Sequence, residues 1–108
     1  MRPMAEVRLS GFLVCEDEGQ LRIVREHLPD HLALTRAEPG CLSFEVAQTE
    51  DPLVWRVHEV FRDDDAFRSH QRRTAASDWG RATAGILRRY TVRRAADRSR
   101  DPGGAVAR

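Results

Sequence analysis

A chain of 108 residues has room for one domain, and 41% hydrophobic with 32% charged residues excludes a disordered chain. No stretch approaches the ~20 consecutive apolar residues of a membrane span. The formal net charge of +1, with arginines interleaved among carboxylates, leaves no basic stripe for nucleic acid and nothing to draw the protein to a membrane surface. Cys15 and Cys41 form no CxxC pair and no Cys/His cluster, so the sequence predicts no metal site. The N-terminal residues lack the apolar core and cleavage signal of a secretory leader, so a cytoplasmic protein with reduced cysteines is expected.

Residues 5–15, AEVRLSGFLVC, read as a strand with Val7, Leu9 and Leu13 on one parity and Phe12 and Val14 on the other. From about Gln20 the apolar spacing becomes helical, with Leu21, Val24, Leu28, Leu32 and Thr35 on one face. Pro29 falls inside that pattern and predicts a kinked helix or two short ones end to end. The segment EPGCLSFEV stops the helix before Pro39, and Gly40 is expected to take a positive φ. A strand then begins, with Leu42, Phe44 and Val46 on one face.

After the EDP turn, LVWRVHEVF reads as a third strand with Trp55, Val57, Glu59 and Phe61 sharing a face. RDDDAF supplies N-cap candidates for a helix over about 64–74, and Ser77-Asp78 caps a third. ILRRYTVRR closes as a last strand, which completes the domain over 1–94. Residues 95–108, small, charged and rich in Pro and Gly, read as a disordered C-terminal tail.

The order β-α-β-β-α-(α)-β is the ferredoxin-like α+β arrangement, a four-stranded antiparallel sheet with helices on one face. Strands apolar on both parities leave the second sheet face wanting a cover, which a homodimer through that face would supply.

The segments LTRAEPGCLSFEV, DP…WRVHEVFRDDDAFRSHQ and SDWG…ILRRY resemble the antibiotic biosynthesis monooxygenase (ABM) domain family, of the quinol monooxygenase type, over about residues 5–94. The resemblance rests on the EPGC turn, on Glu59 with Phe61, and on Phe67-x-x-His70, taken in order. It implies a dimeric α+β barrel. It also implies oxidation of hydroxylated aromatics such as quinols, anthrones or polyketide-like compounds with O2, without a metal, flavin or haem cofactor. A haem-degrading branch of the superfamily carries a tryptophan where His70 stands and its axial histidine where Gly80 stands, so that chemistry is not expected.

Cys41 follows a helix C-terminus, where the helix dipole disfavours a thiolate, and reads as a small apolar residue at a strand start, as does Cys15. His70 lies on the second helix, one turn after Phe67. It is either a buried histidine bonded to the backbone or a general base in a cleft between sheet and helices. Glu59 on an apolar strand face needs a partner, either in a structural ion pair or in His70 across the cleft. His70 and Glu59 are therefore the catalytic candidates. Trp79, Trp55, Phe67 and His31 are the candidate substrate-binding residues; His27 reads as a surface residue and His58 as facing the opposite side. The same acid–base set would also serve a non-catalytic aromatic-binding protein, or a non-oxidative isomerase or cyclase.

Overall fold

Alternating Val7, Leu9 and Leu13 are buried against the helices in β1 (Val7–Val14), the central strand of the sheet. The computed structural model describes residues 5–94 and the backbone of 105–107. Asp17 opens α1 (Glu18–Arg36) by accepting a hydrogen bond from the Gln20 amide at 2.9 Å. Pro29 sits inside this helix, which runs as a single 19-residue element rather than as two short ones. Leu21, Val24 and Leu28 before or beside the proline and His31 and Thr35 after it are all buried on one face. Burial of that stripe outweighs the one backbone hydrogen bond a proline forfeits.

The EPG turn leads into β2 (Cys41–Gln48), which pairs antiparallel with β3 (Val54–Phe61). A bulge lies between Cys41 and Ser43, and it overturns the simple alternation read from the sequence. Cys41 pairs with Phe61 and packs on the core, while Leu42 is thrown out to solvent. From Phe44 onward the expected face is restored, with Phe44 opposite Glu59 and Val46 opposite Val57.

Asp63 caps α2 (Asp64–Ala75) by accepting from the Ala66 amide at 2.9 Å, and Ser77 caps the five-residue α3 (Asp78–Ala82) by accepting from Gly80 at 3.1 Å. The chain then enters β4 (Leu87–Arg94). The strand order is β2-β3-β1-β4, antiparallel throughout, so β1-α1-β2 and β3-α2-β4 are interleaved as the ferredoxin-like reading requires. β5 (Ala105–Ala107) adds to the edge of β4 within the segment read as a disordered tail. Backbone pairing to an open strand edge demands no side-chain pattern, which is why it left no mark in the sequence. The remainder of that segment, 95–104 and 108, lies outside the described residues.

Among the described residues only Gly11 has a positive φ, at 147°. Gly40 does not, contrary to the sequence expectation, and its role is steric. A β-carbon there would lie 2.3 Å from the Ala66 β-carbon, so glycine lets the turn after α1 press against the first turn of α2. The Arg62 amide donates to the Gly40 carbonyl at 2.8 Å from the other side.

Gly40→Ala is expected to lose about 1–3 kcal/mol of stability by overpacking. Ala66→Gly alone should cost at most about 1 kcal/mol of helix propensity. The double variant should recover most of the Gly40→Ala loss in urea midpoints. Strict additivity of the two losses would show that the close approach is not what makes glycine necessary.

Candidate active site

The cap at Asp63 sets the rotation of α2, and with it Phe67 and His70 face the sheet. His70 is buried, 3% exposed, and its Nδ1 lies 3.0 Å from Oε1 of Glu38, the residue that closes the turn after α1. Arg73, one turn further along α2, donates from Nε to the second Glu38 oxygen and from Nη2 to Thr35 Oγ1 at 3.0 Å. One carboxylate therefore holds an imidazole and a guanidinium together. A carboxylate at Nδ1 accepts a proton-bearing nitrogen, so Nδ1–H donates to Glu38 and Nε2 keeps its lone pair. The nearest groups to Nε2 are Thr74 Oγ1 at 3.3 Å and Glu59 Oε1 at 3.9 Å. The second distance is too long for a direct hydrogen bond. The partner of His70 is thus Glu38, not the Glu59 pairing considered from the sequence.

Glu59 sits in the middle of β3 on the helix-covered face, 6% exposed, and its Oε1 has no hydrogen-bond partner among the described residues. Burial pushes its pKa up to about 8, the nearby Glu38 carboxylate adds to the rise, and Arg88 opposes it. Burial therefore favours the protonated form of Glu59 at neutral pH. His70 moves the other way: burial lowers its pKa, Glu38 works against that shift, and Arg73 reinforces it. A neutral base and a neutral acid face each other across a gap of 3.9 Å.

His31 stacks on Trp79 with ring centroids 4.6 Å apart and planes 3° from parallel, and meets Phe44 edge-on at 5.3 Å. Burial, helped by His70, Arg73 and Arg88, lowers its pKa to about 3, so the ring is neutral. Trp79 is fixed in turn, its carbonyl accepting from Thr83 Oγ1 at 2.6 Å. These groups enclose a cavity of about 50 Å³ whose walls include His31, Phe44, Glu59, His70, Thr74 and Trp79. Arg88 and Tyr90 of β4 complete it, the Tyr90 phenol held neutral by burial. That space suits one or two waters, or the reacting edge of a larger molecule.

Of the residues singled out in the sequence, His70, Glu59, Trp79 and His31 converge on this cavity. Trp55 and Phe67 do not line it. Trp55 shares the face of Glu59 but lies two inward positions away along β3, in the core. Phe67 packs on Phe61 at 5.7 Å, with the Arg94 guanidinium 6.0 Å from its ring. His58 occupies the opposite sheet face, as its parity requires. Burial raises the thiol pKa of both cysteines, and at Cys41 the Glu38 and Glu59 carboxylates add to it. Glu38 and Thr74 were not anticipated, and Arg73 and Arg88, whose QRR and LRR runs read in sequence as solvated faces, are instead bonded into the site. The one available signal for Glu38 was a carboxylate beside a Pro-Gly turn, read there only as part of a helix stop.

A model of the antibiotic biosynthesis monooxygenase family matches residues 17–82. Among solved structures, PA3566 from Pseudomonas aeruginosa superposes with a TM-score of 0.63 at 20% identity, over 87% of this chain and 95% of that one. MupZ from Pseudomonas fluorescens gives a TM-score of 0.69 at 19% identity, over 94% of this chain and 79% of that one. A protein from Caulobacter crescentus, named as a candidate antibiotic biosynthesis monooxygenase, gives 0.62 at 17% identity, over 84% and 88%. At such identities the likeness is one of fold. No curated protein matches the chain by sequence. The family match spans more than half of the chain and contains Glu38, Glu59, His70 and Trp79, and so the protein belongs to the antibiotic biosynthesis monooxygenase family.

Proposed function

We propose that the protein is a cofactor-independent monooxygenase acting on a hydroxylated aromatic, a quinol- or anthrone-like compound, with O2. The observation that carries this reading is the Glu38–His70 couple, whose Nε2, in reach of Thr74 Oγ1, faces a small cavity opposite the buried Glu59. His70 Nε2 takes the phenolic proton, and the phenolate passes one electron to O2. The resulting radical pair joins as a carbon–oxygen bond at a ring C–H, and Glu59 protonates the peroxide. Loss of water from the hydroperoxide leaves a carbonyl. Substrate and O2 thus become a hydroxyquinone and water, with no external reductant in the balance.

Deprotonation is the difficult step. An ordinary phenol at ~10 and an ordinary histidine at ~6.5 leave a gap of about 5 kcal/mol, and the lowered His70 widens it. Fixed donors at the developing oxyanion must close that gap, and the Arg88 guanidinium in the cavity wall is placed for it. A second reading, a non-oxidative isomerase or cyclase, is favoured by the same neutral acid and neutral base facing each other. It predicts turnover without O2.

The reading includes a homodimer in the cytoplasm. Phe12, 42% exposed, and Leu87, 49% exposed, stand on the uncovered sheet face, and both cysteines are free thiols.

O2 consumption by the purified protein with hydroquinones and anthrones is expected above the autoxidation blank. His70→Ala should lose 10²–10⁴-fold in kcat. Equal turnover by His70→Ala, or by the parent protein under anaerobic conditions, would overturn the oxygenase reading. The pH profile of kcat/KM is a separate check. Activity should rise with pH as His70 loses its proton, below the usual histidine value, and fall as Glu59 loses its proton near pH 8. In Glu59→Gln the alkaline limb should disappear, since the amide does not titrate.

A further inference from the structure

A cavity of about 50 Å³ does not hold an aromatic molecule, for which pockets of roughly 300 Å³ or more are usual. Two larger hollows adjoin it. One, of about 680 Å³, lies between α2, α3 and the start of β4, and shares Gln71, Thr74 and Arg88 with the cavity. The other, of about 350 Å³, lies against α1 and shares only His31 and Trp79. Entry from the second requires breaking the His31–Trp79 stack, both of whose rings are buried.

The first threshold is built differently. Arg88 is a fixed post: Nη1 donates to the Thr83 and Ile86 carbonyls at 2.8 and 3.1 Å, and Nη2 to Thr83 Oγ1 at 2.8 Å. Thr74 is short and engaged with His70 Nε2 at 3.3 Å. The half-buried Gln71 is the one of the three whose side chain no hydrogen bond to another described residue restrains. A rotamer change there breaks no hydrogen bond to a described residue. Beyond it the hollow is lined by small residues, Ala75, Gly80, Ala84 and Gly85, and the exposed Leu87 forms part of its rim.

We propose that Gln71 is the gate and specificity-determining residue of the cavity. It admits ligand from the hollow between α2, α3 and β4, so that the hydroxyl-bearing edge reaches His70 while the apolar body of at least two fused rings stays outside the cavity. This deepens the functional reading above and rests on the same cavity.

The test is a binding measurement that does not depend on turnover. 1,4-Dihydroxynaphthalene is mixed with the protein under anaerobic conditions, and its association rate is followed by quenching of tryptophan fluorescence in stopped flow. Gln71→Ala should raise the rate several-fold, and Gln71→Phe should lower it tenfold or more. Leu34→Phe, on the other hollow, should leave it unchanged. A slowing confined to Leu34→Phe, equal rates in all variants, or no quenching in the parent protein would each overturn the gate. Gln71-dependent binding without O2 uptake would keep the gate and remove the oxygenase reading. O2 uptake with Gln71-independent association would do the reverse.

Discussion

The site depends on where one carboxylate sits. Glu38 closes the turn after α1, yet both of its oxygens are spent on α2, one on His70 and one on Arg73. That bridge ties the end of the first crossover to the second, and it decides which nitrogen of His70 is left unprotonated. It is possible because Gly40, two residues later, lets the turn close against Ala66 with no β-carbon between them. A packing constraint in the turn is thus what brings the charge within 3.0 Å of the imidazole.

Burial does the rest of the electrostatic work. In water Glu59 would be ionised and His31 partly protonated at mildly acidic pH. Behind α2 and Trp79 the cost of desolvating a charge moves both toward their neutral forms, to about 8 and about 3. Apart from the Arg88 guanidinium, the cavity therefore presents hydrogen-bonding groups without net charge of their own, while Glu38 and Arg73 balance one another on its outer side. This is an environment suited to moving a proton between a base and an acid. Among the described residues no group of three His, Cys, Asp or Glu comes together as a metal site would need.

The two sheet faces have separate duties. One is covered by the helices and carries Glu59, Tyr90 and the cavity floor. The other leaves Phe12 between Arg56 and Arg89 across the neighbouring strands, an apolar ring in a cationic setting. The bulge at Leu42 adds a further exposed apolar side chain, at the sheet's β2 edge.

The periodicities of 2 and 3.6 in the sequence determined the element order, the ferredoxin-like topology, the caps at Asp63 and Ser77, and the face on which Glu59 and His70 lie. Those are local properties, set by residues within a turn or a strand of each other. What sequence spacing does not encode is the partner across an element boundary. Glu38 and His70 are 32 residues apart, and Arg88 reaches the cavity from the last long strand. Their meeting, like the exclusion of Phe67 and Trp55 from the cavity and the shift of register at Leu42, follows from how the helices settle on the sheet. That settling is decided by close packing and desolvation acting over the whole fold, and only the tertiary structure records it.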